Sequence, residues 1–484
     1  MIKLWASGPS TRIRASAEVP AADAGATNVS LSAMRKLSEA REASWASVGQ
    51  GKGWKGRAHT ASFFPVPVET PLLEPELARR IAAEHGTPCY VYSQAWLEMQ
   101  AARMLAFPHA YGLTVRFAMK ACPSAAILRI FKKAGLHIDA SSGWEVHRAL
   151  RAGFEPAQIS LSTQELPDDF AELLSRGVEI NACSLEQLEC IGRARAGHAI
   201  GLRFNPGRGS GGTGKTNVGG SDSSFGIWYE WAEQAAAIAA THRLRVVRIH
   251  THIGSGSDPA VWQSVADASL ALVGRFPSAT VLNLGGGYKV ARVSTEKETS
   301  PVIVGAPVRA AFEKFAAEHG RKLHLEIEPG TFLVANAGGV LASVTDVVRT
   351  DQRTFVKLDS GMTEILRPSL YGAQHPITFY PVKESASMVD TVVVGHCCES
   401  GDLITCAPGD AETIAPRRLP KVVSGDLALI GGTGAYCASM SAKNYNSFPE
   451  APEVLVGRDQ AVHLIRRRQT LDQMLANEVV PEGL

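Results

Sequence analysis

The chain has 484 residues, of which 45% are apolar and 20% charged, with a formal net charge of +2. That composition excludes a collagen, a mucin-like stalk and a wholly disordered chain. The balanced charge, without a long basic run, excludes a nucleic-acid footprint, and no apolar stretch reaches the ~20 residues needed to cross a bilayer. Eight cysteines without a CxxC pair read as reduced thiols rather than a disulfide framework.

Residues 1–60 hold nine basic against four acidic side chains, and no apolar run follows Met1. A leader rich in Arg and Ser and poor in acids reads as a transit peptide or a disordered extension. The expected location is the cytoplasm, or a plastid or mitochondrial matrix if the leader is a transit peptide. Past the leader a helix is expected over 75–85, with Pro75 at its first position, where the missing N–H costs nothing. A short strand follows at 89–92, after the Gly86-Thr87-Pro88 turn. Strands are then expected at 115–120, 137–141, 158–162, 179–182, 200–205, 246–252, 280–284 and 324–328. Helical stretches separate them, among them 124–134, 143–152, 165–176, 230–241, 259–276 and 307–319.

Eight β-then-α units in a row predict an α/β fold, parallel strands closed into a TIM-like (β/α)8 barrel. An open doubly wound sheet also hosts such units, but the count favours the barrel. Residues 206–224 form a long Gly/Ser-rich loop after the fifth strand, functional or mobile by its length. After Gly338 the helical pattern thins, and strands at 340–349, 354–358, 391–395, 426–430 and 453–456 predict a C-terminal mostly-β domain. The expected organisation is a leader (1–70), a segment joining the β domain (71–94), the barrel (95–338) and the β domain (339–484).

In such a barrel, catalytic groups gather at the C-terminal ends of the strands. Lys120 closes the first barrel strand in RFAMKA. A lysine there either snorkels to the rim or is buried for a task, and burial lowers its pKa, which suits a Schiff base. His250 and His252 flank Thr251 and share one face of their strand. No neighbouring Asp, Glu or Cys completes a ligand set, so no metal is expected. A histidine stacked on a flat cofactor and a structural histidine remain open. Gly285-Gly286-Gly287 either brings bare backbone N–H groups to a phosphate or simply turns the chain. Glu326 and Glu328 point to one side of the eighth strand. Glu328, at its end, suits a protonated ring nitrogen, a helix cap or a rim ion pair. Cys397-Cys398-Glu399 reads as a reactive thiol beside a carboxylate or as two buried thiols.

These pieces occur in one order: FAMKA (117–121), HIDASSGWE (137–145), HIGS (252–255), GGG (285–287), EPG (328–330), LRPSLYGAQH (366–375), CESGD (398–402) and GAYCASM (434–440). The set resembles the fold type III pyridoxal-phosphate decarboxylases, from about Leu72 to about Arg467. Within that family it is most similar to the branch that decarboxylates meso-2,6-diaminopimelate to L-lysine. The resemblance implies pyridoxal 5'-phosphate as cofactor and assigns roles. Lys120 matches the lysine that carries the cofactor, and His252 the histidine stacked on its ring. Asp139, Ser255, Gly286, Gly287 and Tyr436 match cofactor contacts, and Glu328 the partner of the ring nitrogen. Cys398 matches the general acid. Arg367, Tyr371, Glu399 and Tyr436 match substrate contacts. A homodimer with shared active sites is implied, with Cys398 and Glu399 crossing from the partner subunit, and neither nucleic acid nor membrane as partner.

One departure stands out. The family's EPGR reads Glu328-Pro329-Gly330-Thr331 here. The absent arginine serves the phosphate or the substrate's distal carboxylate, and Arg208 and Lys215 in the Gly-rich loop are candidates for a replacement cation. Competing readings are a decarboxylase for ornithine, lysine, arginine or carboxynorspermidine, a non-catalytic decoy, and a racemase. Retention of Lys120, Glu328 and Cys398 speaks against the decoy, and CESGD against the racemase.

Overall fold

The computed structural model describes residues 71–207, 220–252, 258–383 and 387–484. The leader, most of the Gly-rich loop with Arg208 and Lys215, and Ser255 lie outside the described residues. The chain runs through a helix at Pro75–His85 into β1 (Cys89–Ser93), and then into the barrel. The barrel strands are β2 (Leu113–Ala118), β3 (His137–Ala140), β4 (Ile159–Ser162), β5 (Glu179–Ala182) and β6 (Ala199–Asn205). A two-residue β7 (Ile227–Trp228) follows, then β8 (Arg245–Thr251), β9 (Val281–Asn283) and β10 (His324–Ile327). The pairing order is β5-β4-β3-β2-β10-β9-β8-β6, and β6 returns to β5, so eight parallel strands close on themselves. β7 hangs on β6 outside that ring.

Closure seals the strands on both faces, which is why they read as continuous apolar runs rather than alternations. All four residues of β4 are buried, as are the last six of β6. The outer helices each present one apolar stripe inward. In Ala125–Ala134 that stripe is Ile127, Leu128, Ile130 and Phe131. Gly135, at φ 91°, then ends the helix in a conformation that other residues resist.

Several boundaries differ from expectation. The first barrel strand ends at Ala118, and Lys120 sits in a tight turn, Met119–Ala121. Ala118 N–H donates to Pro329 O at 3.2 Å, so the ends of β2 and β10 are tied just before the chain turns away. Glu328 lies one residue past β10. The helix expected at 165–176 is only Phe170–Ser175, because Pro167 disfavours helical backbone before it. The helix expected at 307–319 begins at Pro301, capped by Ser300, with Pro307 inside it.

Below the catalytic end, charged side chains fill one layer of the barrel. Arg116 Nη2 donates to Glu326 Oε1 at 2.7 Å and also pairs with Glu179. Arg248 reaches Glu326 Oε2 at 2.9 Å and Glu179 Oε2 at 2.7 Å. Burial alone would raise the Glu326 pKa, but the Arg116 and Arg248 charges outweigh it and hold the group at about 2. A carboxylate depressed in this way stabilises the fold fully above its ordinary pKa of ~4.3, and that contribution is lost as pH falls toward the folded value. Arg116→Met leaves the buried Glu326 with Arg248 as its remaining arginine partner, so urea unfolding of this variant at pH 7 is expected to show a loss of about 1–3 kcal/mol. A loss below ~1 kcal/mol would mean the layer does not hold the barrel together.

The second sheet is built around β11 (Gly338–Arg349), with β12 (Thr354–Leu358), β13 (Ile377–Tyr380), β14 (Met388–Val394), β17 (Arg417–Pro420), β18 (Leu427–Gly431), β19 (Glu453–Val456) and β20 (Val462–Arg466). A small hairpin, β15 (Cys406–Ala407) with β16 (Asp410–Ile414), stands apart. β1 enters this sheet, antiparallel to β11 and parallel to β19. After β18 the chain leaves the sheet through Gly432–Tyr436 toward the barrel mouth. A side chain at Gly434 would strike Val334 O, so glycine permits that approach. Among the described residues no helix is long and apolar enough to cross a membrane.

Candidate active site

The centre of the site is Lys120, carried past the end of β2 by its tight turn. Its side chain is exposed to water, yet the mass of protein around it is that of an interior group. Both hold for an amine at the floor of a hollow. Burial pulls its pKa down, but Asp139, Tyr436 and Glu328 outweigh burial and Arg203, so the net direction is up. This reverses the expected fall. With carboxylates beside it, the amine keeps its proton in the free protein, and it must lose that proton before it can act as a nucleophile.

Glu328 forms one wall. It is 4% exposed, and Asn283 Nδ2 donates to its Oε1 at 2.6 Å. Burial would raise its pKa, but the neighbouring histidines and Arg203 hold it well below the usual carboxylate range. His250 Nε2 lies 3.2 Å from Glu328 Oε2 without hydrogen-bond geometry. Burial keeps His250 toward the neutral form, and its Nδ1 pairs with Ser162 Oγ at 3.2 Å. Burial and the Arg203 charge likewise push His252 well down, which makes it a neutral, flat ring.

Against that ring lies the glycine loop. A Cβ on Gly285 would stand 2.8 Å from His252 Cδ2, and one on Gly286 would stand 2.5 Å from Glu328 O. Only a bare backbone can pass between His252 and the end of β10. Tyr436 closes the site from the β sheet. Its φ of 55° is unusual for an aromatic residue, and its N–H donates to Ala121 O at 2.8 Å, one residue from Lys120. Its hydroxyl lies near Gly330, 3.3 Å from where a Cβ there would be. Arg367 acts on Tyr436 by its charge and lies over the Tyr371 ring at 5.7 Å.

Lys120, Asp139, His252, Gly286, Glu328 and Tyr436 therefore gather at one hollow, with Gly287 in the same loop and Arg367 and Tyr371 beyond Tyr436. Ser255 lies outside the described residues. Cys398 and Glu399 sit in the turn that follows β14. Cys398 is exposed, with its N–H donating to Asn446 Oδ1 at 3.0 Å. Glu399 accepts from Gly401 N–H at 3.1 Å and from Tyr445 at 3.5 Å. The buried Asp402 carboxylate holds their turn, accepting from Cys397 N–H at 2.9 Å and Met362 N–H at 2.7 Å. Sequence reasoning missed Arg203 and Asn283, whose signal was a polar residue inside an apolar strand (LRFN, VLNL). Among the described residues no group of His, Cys, Asp and Glu could hold a metal ion.

The residues present fit pyridoxal phosphate. Lys120 offers an amine for its aldehyde, and Glu328 a buried anion for a protonated ring nitrogen. His252 offers a flat face, and the glycine loop offers bare N–H groups for the phosphate. Asp139 Oδ1 is buried without a hydrogen-bond partner, an acceptor left for a ligand.

Over residues 98–335 the chain matches the family described as pyridoxal-dependent decarboxylase, pyridoxal binding domain. The diaminopimelate decarboxylase of Escherichia coli (strain K12) is 38% identical over 418 residues, 83% of this chain and 96% of that protein. A solved diaminopimelate decarboxylase superposes with a TM-score of 0.79 at 36% identity, covering 85% of this chain and 99% of that one. The Helicobacter pylori diaminopimelate decarboxylase complexed with L-lysine superposes with a TM-score of 0.72 at 26% identity, covering 82% and 98%.

Proposed function

This chain belongs to the pyridoxal-dependent decarboxylases, and on that premise we propose that it converts meso-2,6-diaminopimelate to L-lysine and carbon dioxide. The observation that carries the reading is the buried, ionised Glu328 facing the Lys120 hollow, in a chain 38% identical to a diaminopimelate decarboxylase across 96% of its length. In the reaction, the bond from Cα to the carboxylate breaks, the electron pair stays on Cα, and one proton replaces the lost carbon dioxide.

Pyridoxal phosphate supplies the electron sink for that pair when bound. The chain's own residues do the rest. Lys120 Nζ would hold the cofactor through its aldehyde, next to where the substrate amine binds. Glu328 keeps a proton on the ring nitrogen by its negative charge. His252, neutral and flat, covers one face and excludes water. The glycine loop binds the phosphate through backbone N–H groups. Cys398 Sγ would deliver the final proton to Cα as the general acid. Cys398 is exposed, which leaves its thiol, with the Glu399 carboxylate beside it, open to serve the site of a partner subunit in a homodimer.

The test is direct. Purified protein with pyridoxal phosphate is given meso-diaminopimelate, while carbon dioxide and lysine are measured. Equimolar formation of both is expected. Carbon dioxide from ornithine, lysine, arginine or carboxynorspermidine, with none from diaminopimelate, would reassign the substrate. No turnover of any of them would favour the decoy.

A further inference from the structure

Three buried nitrogens lack a hydrogen-bond partner in one neighbourhood: Arg292 Nη2, Arg367 Nε and His375 Nε2. Arg292 is only 6% exposed. Its Nε donates to Gly432 O at 3.0 Å, and His375 Nδ1 donates to Gly431 O at 3.0 Å. Both carbonyls belong to the turn that leads from β18 to Tyr436. The Arg367 charge acts on Arg292, His375, Cys437 and Tyr436, so these groups share one small region beside the Lys120 hollow.

This region is short of anions. The nearby acid is Glu296, whose carboxylate accepts from the Arg292 backbone N–H at 2.7 Å; no bond joins it to the guanidinium. Among the described residues no acceptor is bonded to the Arg367 guanidinium. Burial first, then Arg367, pull the Arg292 pKa down to about 10. Elsewhere the fold does pair its buried arginines, since Arg116 and Arg248 each meet both Glu326 and Glu179. Buried guanidinium nitrogens without acceptors, one on Arg292 and one on the half-buried Arg367, are costly unless a ligand supplies the anion.

The position also matches the departure at Thr331. The short helix that starts there leads to Asn336, whose Nδ2 donates to Ala291 O at 3.0 Å. Arg292 thus enters from the backbone that packs against the Thr331 segment. We propose that Arg292 and Arg367 together clamp the substrate's distal carboxylate, with Arg292 supplying the charge that Thr331 lacks. The inference rests on the diaminopimelate reading. Guanidinium forks match a carboxylate in geometry as well as charge.

The test compares holoenzymes of wild type, Arg292→Gln, Arg292→Lys and the double variant Arg292→Gln/Thr331→Arg. L-lysine retains the distal carboxylate and cadaverine lacks it, so inhibition by each isolates the subsite from catalysis. In Arg292→Gln, KM for meso-diaminopimelate is expected to rise about 10- to 100-fold, the range of a lost charged hydrogen bond. Inhibition by L-lysine should weaken by a similar factor, while that by cadaverine and kcat stay within about threefold. Thr331→Arg should recover most of the KM. An unchanged KM, equal weakening of both inhibitors, or loss of the cofactor's absorbance would overturn the proposal, the last by assigning Arg292 to the phosphate. If Arg292→Gln does not fold, Arg292→Lys decides by the same ratio of inhibitors, and an unchanged ratio rejects the clamp. A wild-type enzyme inert toward diaminopimelate would instead sink the substrate reading.

Discussion

Lys120→Ala is expected to abolish the visible absorbance of the protein-bound cofactor and to cut carbon dioxide release by about 10³-fold or more, in the upper range of losing a positioned proton carrier. On the proposed function the lysine would have two tasks, holding the cofactor and moving a proton at Nζ, and alanine removes both. Asp139, Tyr436 and Glu328 raise the amine's pKa against burial, so the free protein holds a charged lysine that would have to give up its proton to bond an aldehyde. Lys120→Arg separates the tasks. Its charge satisfies the same carboxylates, but a guanidinium does not deprotonate. The arginine variant should fold like wild type and still lack both absorbance and turnover. Absorbance retained in Lys120→Ala would place the cofactor elsewhere.

The second large effect is expected at Glu328. Glu328→Gln keeps the shape and removes the charge, and kcat should fall about 10²- to 10³-fold, the scale of losing one preorganised electrostatic partner. Cofactor binding should survive, because the amine and the glycine loop are untouched. The pH dependence has a definite sign. Glu328 is held well below the usual carboxylate range, so it is ionised from that range upward. Its charge is lost only as pH falls through the depressed folded pKa, and any wild-type acid limb between about pH 5 and 7 belongs to another group. If Glu328→Gln retains wild-type kcat, the carboxylate does not control the ring nitrogen.

Much of this molecule is legible along the chain because its signals are local. The strands at β3, β4 and β5 stand within a residue of expectation, since runs sealed on both faces contrast with the Gly- and Ser-marked turns between them. The helix at Pro75–His85 starts at its proline, and the strand at Thr354–Leu358 lies between polar turns. The ordered motifs also name most residues at the Lys120 hollow, because a lysine, a glutamate or a triple glycine at a strand end is visible without knowing its neighbours. The helix expected from 307 starts instead at Pro301, behind the Ser300 cap and six residues before the expected start, with Pro307 inside it.

What the sequence by itself determined is the alternation of eight strands with helices, the mostly-β region after Gly338, and the residue types the chemistry needs. Only the tertiary structure decided the direction of the Lys120 pKa, since the charges that set it come from β3, the segment after β10 and the turn after β18. It alone left Cys398 exposed while Cys397 beside it is buried. It alone left Arg292 and Arg367 in one region with buried nitrogens unmatched, although 75 positions separate them in the chain. The physical reason is common to all three. A side chain's type is written locally, but its charge state and its unmet hydrogen bonds depend on which distant groups the closed barrel and its sheet bring beside it.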